Sequence, residues 1–275
     1  ATMHLLYSRF YTKALADMGL LDFREPATRL FNQGMILGED HEKMSKSRGN
    51  VVNPEGLVQR YGTDTVRMYL MFLGPWDAGA PWNPHGIEGA SRFLRSVWAL
   101  GTQEIPAGPS GDADAEQKVR RALHQTIKKV TDDLQHFRFN TAIAALMSFR
   151  NQLRSGGERI GSELREEAIR ALLLLLAPIA PHLTEELWQR RCPDSGSVHT
   201  QPWPEHDEAL AAAELVTLVV QVNGKLRDRL EVPTGMGREE VERLALESEK
   251  IQPHLSERSV RKVIVVPDRL VNIVA

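Results

Sequence analysis

The chain has 275 residues, 42% of them apolar and 25% charged, which suffices for a soluble globular protein of roughly two or three domains. A net charge of -2 excludes nucleic-acid binding driven by the field of the whole molecule and leaves it to local basic patches. One cysteine, Cys192, excludes an internal disulfide and a cysteine-rich zinc cluster, and reads as an inert thiol in a reducing compartment.

In chain order, helical spacing of Leu5, Leu6, Phe10 and Leu15 predicts a first helix, and the short apolar run Gly34–Gly38 predicts a strand that ends in a polar turn. Directly after it stands the segment HEKMSKSRGNVVNP, residues 41–54. Asn53-Pro54 predicts a helix start with a capping side chain and a proline at the first helical position. Tyr61-Gly62 closes that helix, and Thr63 or Asp64 is expected to cap the next. The proline- and glycine-rich stretch Gly74–Gly86 reads as a boundary.

From about His85 to His206 the pattern is helical, with a flexible loop expected at Gly108–Asp114. Val119, Leu123, Ile127, Val130 and Leu134 recur at steps of three and four, while Lys118, Arg121, Lys128 and Lys129 project from the other face. Between Lys118 and Arg154 there are eight Lys or Arg against two Asp, which makes this side a candidate RNA surface, although a solvated helix face is the commoner meaning of such charge. The longest apolar run, Ala171–Ala177, stops at Pro178, far short of the ~20 residues that span a bilayer. With no secretory leader recognised, a cytoplasmic protein without membrane contact is expected.

From about Ala213 onward the pattern is α/β. Leu215–Val222 and Leu226–Val232 flank Asn223-Gly224, a strong hairpin signal; Arg238–Glu249 predicts a helix, and Val263–Val266 and Leu270–Val274 two more strands. Strict alternation would point Lys225, Arg227 and Arg229 to one face over ~13 Å, either the wet side of a hairpin or a rail for phosphates.

The chemistry is densest at Lys43-Met44-Ser45-Lys46-Ser47. Mobile ammonium groups and hydroxyl donors on a loop after a strand suit a polyphosphate. No GxxxxGK[ST] pattern occurs, so side chains rather than a backbone nest would do the gripping. Other tempting residues fare worse: Glu185 and Glu186 point about 100° apart on a helix, His136 and His182 lack ligand spacing, and Trp98, Trp188 and Trp203 read as packing residues.

KMSKS matches the signature loop of class I aminoacyl-tRNA synthetases, an agreement expected by chance in roughly one chain of this length in ten thousand. Further blocks resemble the leucyl-tRNA synthetases: Leu5–Phe10, Asn32–Met35, Tyr61–Thr65, Arg138–Ala142, Leu176–His182, Gln221–Arg227 and the pair Val263–Pro267 with Leu270–Val274. The last of these favour leucine over the related valyl and isoleucyl enzymes. The resemblance implies a multidomain α plus α/β chain. Its parts would be the end of a Rossmann-type catalytic domain with a helical stem-contact segment (1–84), a helical anticodon-binding-type bundle (85–206), and a small α/β tRNA-binding domain (207–275). It implies that Lys43, Met44, Ser45, Lys46 and Ser47 bind ATP, with Lys43 and Lys46 catalytic in leucine activation. Mg2+ would enter as the counter-ion of ATP, with no metal site of the chain's own. It also implies tRNA(Leu) as partner, met by Lys118, Arg121, Lys128, Lys129, Lys225, Arg227 and Arg229.

Three departures follow. No HxGH motif is present, since neither His4 nor His85 has a second histidine at the required step; no editing domain is present; and only Glu39–Glu42 separate the strand from KMSKS, where many bacterial relatives carry an insertion. The expectation is the carboxyl-terminal portion of a ligase, an expressed fragment or one subunit of a split enzyme whose second chain carries the HxGH half. Alone it would be inactive. The alternative is a non-catalytic RNA-binding module with a vestigial loop.

Overall fold

The computed structural model describes residues 2–105, 111–212, 215–234, 236–255, 260–267 and 269–275. The start of the expected flexible loop at Gly108 and the expected start of the last region at Ala213 lie outside the described residues. The elements run α1 (Thr2–Asp17), β1 (Met35–Leu37), α2 (Pro54–Tyr61), α3 (Thr63–Phe72), β2 (Gly79–Pro81), α4 (Gly86–Thr102), α5 (Ala113–Gln135), α6 (Phe139–Gly156), α7 (Ser162–Leu176), α8 (Pro181–Arg191), α9 (Glu208–Ala211), β3 (Leu215–Val222), β4 (Lys225–Pro233), α10 (Arg238–Glu247), α11 (Gln252–Leu255), β5 (Lys262–Val266) and β6 (Leu270–Val274). Two compact units form: residues 1–104, 129–151 and 169–203, and residues 105–128, 152–168 and 204–275.

In the first unit β1 pairs in parallel with β2, Met35 opposite Gly79 and Leu37 opposite Pro81. The stretch expected as a boundary therefore contains a strand that returns to the strand before KMSKS. Only glycine permits this approach: Gly79 has a φ of 71°, and a Cβ there would sit 2.1 Å from the Met35 carbonyl oxygen. α2 starts as its sequence predicts, with Asn53 Oδ1 accepting from Glu55 N at 3.0 Å and Pro54 in the first turn. α3 does not. Its cap position is Gly62, without a side-chain cap, because the Asp64 carboxylate is used elsewhere. It accepts from Leu183 N at 2.7 Å and lies 2.8 Å from His182 Nδ1, at the start of α8. The cap residue of α8 is Ala180, which has no acceptor to offer, so Asp64 supplies it from another helix. Arg67 adds hydrogen bonds to the carbonyls of Pro178 at 3.1 Å and Ile179 at 3.4 Å.

α4 packs on α3 and α8 through Ile87, Ala90, Phe93, Leu94, Val97 and Leu100, a stripe at helical spacing. In α5, Val119, Leu123, Ile127 and Val130 are buried as the spacing predicts. Near its end Asp133 is wholly buried, ion-paired with Lys129 and with Arg138, whose Nε lies at 2.8 Å. α1 is helical as expected but keeps much of its apolar surface outward: Phe10 and Tyr11 are each 63% exposed.

The second unit contains a four-stranded sheet in the order β4-β3-β6-β5, with β3 and β6 parallel and the other pairs antiparallel. The hairpin turns at Asn223 (φ 50°) and Gly224 (φ 76°), the two positive values that a tight primed turn requires. Leu218, Val220, Val222, Val232, Val271 and Ile273 form a core with Val241 and Ala245 of α10.

Burial pushes the Asp133 carboxyl up, but hydrogen bonds from Lys129, Thr141 and Arg138 outweigh it and hold the carboxyl below the usual aspartate range. A lowered folded pKa gives stability that is complete above the ordinary value of 3.8 and is lost as pH falls through the folded value. Asp133→Ala should lower stability at pH 7 by about 1–3 kcal/mol and flatten the acid limb of the stability curve, measured by urea unfolding between pH 7 and pH 3.

Candidate phosphate loop and basic surfaces

β1 delivers the chain to the loop. Gly38 N donates to Glu42 O at 2.8 Å, closing a tight turn through His41 (φ 60°), and Lys43 then bridges back to Leu37. Residues Lys46–Arg48 form a single 3-10 turn ended by Gly49 at φ 72°. Lys43, Lys46 and Ser47 are exposed, while Met44 and Ser45 are half-buried. Ser45 Oγ and Ser47 Oγ lie 2.7 Å apart, so the two hydroxyls hold each other. Neither Lys43 nor Lys46 has an ion pair among the described residues, so both ammonium groups remain available to an anion. Beneath the loop's strand, Gln33, Met35, Ile36, Leu70, Leu73 and Trp76 line an apolar cavity of about 550 Å³. A parallel pair with a polar loop beyond the carboxyl end of one strand is the position where open α/β sheets bind ligands.

The candidate basic faces are placed unequally. Lys118 and Arg121 line a cavity of about 630 Å³ together with Gln125, Gln152, Ser155 and Arg159. Lys128 is exposed but held by Glu208 at 2.7 Å, and Lys129 is held by Asp133, so both cations already have carboxylate partners. On β4 the expected single face is corrected by a bulge. Lys225 lies opposite Val222 and Asp228 opposite Val220, both partners being core-facing residues, whereas Arg229 lies opposite Val219. The register shifts between Val220 and Gln221, so Arg227 has no partner residue across the ladder and the parity of the strand changes there. Lys225 thus stands on the face opposite to Arg229. The bulge also turns Asp228 inward, where Ser248 Oγ at 2.5 Å and Lys250 Nζ at 3.0 Å hold its carboxyl below the usual range.

One cationic surface escaped the sequence. Arg60, Tyr61, Asp64, Arg95, Trp98 and His182 line a cavity of about 630 Å³. The Arg60 guanidinium sits 4.9 Å from the centroid of Tyr61, and that of Arg190 sits 4.7 Å from the centroid of Trp98. Arg60 and Arg95 come from different helices at no shared spacing, so periodicity could not unite them. Among the described residues no group of three His, Cys, Asp or Glu could hold a metal ion, and no helix is long and apolar enough to cross a membrane.

Residues 6–78 match the family of class I tRNA synthetases for I, L, M and V, and residues 116–242 match the anticodon-binding domain of tRNA ligases. All of the chain aligns with the leucine–tRNA ligase of Dehalococcoides mccartyi strain 195 at 51% identity, and with that of Rubrobacter xylanophilus at 53%. Along its whole length the chain is similar to leucine–tRNA ligases. It spans about a third of the length of these curated relatives, 34% and 33%. The crystal structure of a ternary complex of the Agrobacterium radiobacter K84 leucyl-tRNA synthetase with tRNA and LeuAMS superposes with a TM-score of 0.74 at 36% identity, covering 99% of this chain and 37% of that one. A Mycobacterium tuberculosis methionyl-tRNA synthetase bound by methionyl-adenylate shares the fold over 66% of this chain and 42% of its own, at 18% identity and a TM-score of 0.50. Asp64 joins two helices that both fall within the first unit. Asp64→Ala should leave the α8 start uncapped and cost about 1–2 kcal/mol of stability, whereas Asp64→Asn should recover part of it, both measured by thermal unfolding.

Proposed function

We propose that this chain is the part of a leucine–tRNA ligase that supplies the phosphate-binding loop and much of the tRNA surface. The carrying observation is the loop Lys43–Ser47, with two unpaired lysines beyond the end of a parallel strand, in a chain 51% identical along its whole length to leucine–tRNA ligases. In the complete ligase the leucine carboxylate attacks the α-phosphorus of ATP; a carboxylate oxygen–phosphorus bond forms, the bond to the β-phosphate breaks, and pyrophosphate leaves. Charge grows on the leaving group, so Lys43 and Lys46 stabilise the transition state more than bound ATP. Met44, half-buried, packs near the adenine, and Ser45 and Ser47 hold the shape of the loop. Mg2+ arrives with ATP as its counter-ion. The leucyl group then passes to tRNA(Leu).

The strands β1 and β2 have three residues each, too little for an independent sheet. Together with the outward apolar side of α1 this supports completion of the nucleotide fold by further residues carrying the HxGH half. Segments 1–84, 85–206 and 207–275 are then the catalytic end, the anticodon-binding-type bundle and the terminal tRNA-binding domain. Lys118 with Arg121, Arg60 with Arg95, and Arg227 with Arg229 are the phosphate contacts. Lys225 adds charge from the other face of its strand, and Lys128 and Lys129 would have to exchange carboxylate partners for phosphate.

In the complete protein, Lys46→Ala should lower the rate of leucine-dependent ATP–pyrophosphate exchange by about 10²-fold while the KM for leucine changes little. Loss of equal size in kcat and leucine affinity would make Lys46 structural. For tRNA, Arg227→Ala with Arg229→Ala should reduce the slope of log affinity against log salt by about two in filter binding with tRNA(Leu). An unchanged slope would leave that strand face a merely wet surface.

A further inference from the structure

The neck of the phosphate loop is tied by one side chain. Asn50 Oδ1 accepts from Ser45 N at 2.8 Å, and Asn50 Nδ2 donates to the Asp40 carboxylate at 3.0 and 3.2 Å and lies 3.4 Å from Lys43 O. Asp40 is itself fixed, because its Oδ1 accepts from Glu42 N at 3.1 Å. From the far end of the loop the amide therefore reaches the backbone of Lys43 and of Ser45, which stands between the two lysines, and anchors both to the turn that leaves β1. Gly38 makes room for this: a Cβ there would lie 2.5 Å from Asp40 Oδ1 and 3.0 Å from Asn50 Nδ2. A second tie, Arg48 to Glu42 at 3.0 Å, lies on the exposed side.

We propose that Asn50, oriented by Asp40, is a positioning residue that fixes the spacing of Lys43 and Lys46, so that the loop meets the phosphates of ATP as one preformed unit. A backbone segment of about eight residues that carries two mobile lysines would otherwise sample many arrangements, and ordering each residue would cost conformational entropy at the moment of reaction. Closing the neck removes that cost in advance, which raises the rate of the chemical step and leaves leucine binding alone. The pair works by donor and acceptor complementarity. The Asn50 amide presents its N–H groups to the carboxylate and its oxygen to a backbone N–H, so an acid at position 50 would face Asp40 with like charge. The proposal rests on the ligase reading, because the lysines matter only if they meet phosphate.

The tests separate the two. Leucine-dependent ATP–pyrophosphate exchange by the complete wild-type protein examines the ligase reading alone, and its absence would overturn both. Given that exchange, Asn50→Ala and Asn50→Asp should each lower kcat about tenfold or more with the leucine KM within about twofold. The swap Asp40→Asn with Asn50→Asp rebuilds one donor facing one acceptor and should restore most of the rate. Trypsin gives a reading independent of catalysis, since Lys43, Lys46 and Arg48 are all cleavage sites. Nicking of this chain in the loop should be several-fold faster in Asn50→Ala, and slow again in the swap. Unchanged kcat in the single variants, a matched loss in leucine KM, a swap as poor as Asn50→Asp, or equal nicking rates would each overturn the positioning role.

Discussion

One buried carboxylate organises the first unit. Asp64 stands at the start of α3 yet satisfies the half-buried backbone N–H of Leu183, 119 residues further along. Helix starts leave such donors without intrahelical partners, and a buried start with nothing to accept from them is unstable. By using Asp64 for this, the chain fixes the direction in which α8 leaves its connection, and Arg67 one turn later holds the carbonyls just before it. α4 packs on both helices so joined. The segment after the Lys43–Ser47 loop is thus joined to a helix that belongs, in sequence, to a much later part of the chain.

The loop itself obeys the opposite rule. Its lysines are left without carboxylates, although acids are nearby: Glu42 is taken by Arg48, and Asp40 by Asn50 and the backbone. Hydrogen bonds to the backbone of Glu42 and to Asn50 hold the Asp40 carboxyl below its usual range, so it stays an acceptor throughout neutral and mildly acidic conditions. Negative charge is thereby consumed at the base of the loop and positive charge is left at its tip. Lys128 and Lys129 show the contrary arrangement, in which surface cations are matched by carboxylates of the same protein.

What could be read from the sequence divides along the range of the interaction. The Asn53-Pro54 helix start and the Asn223-Gly224 turn are local signals, and each appears where its residues predict, because neighbours a few positions apart determine them. The stripe of α5 is legible for the same reason. Asp64 looked like a local cap and is a distant one, since no local pattern reveals that α8 lacks an acceptor of its own. The strand β2 was hidden in a glycine- and proline-rich stretch because its only justification is pairing with β1. The alternation of Lys225, Arg227 and Arg229 fails for a related reason: a bulge inserts one residue, and beyond it Asp228 turns inward toward Ser248 and Lys250.

The parallel contact between β3 and β6 bears on how the four-stranded sheet is made. The hairpin β3–β4 closes through a two-residue turn and can form early, but β3 then presents an unpaired edge to solvent until β6 arrives, with Val219 beside Leu270 and Val222 beside Ile273. That edge is long and rich in valine, the kind that recruits strands from other chains. Non-local pairing of this sort is slow, so the interval is an opening for aggregation during synthesis or refolding. Chaperone dependence and loss of material on refolding at high concentration should therefore trace to this edge rather than to the helices.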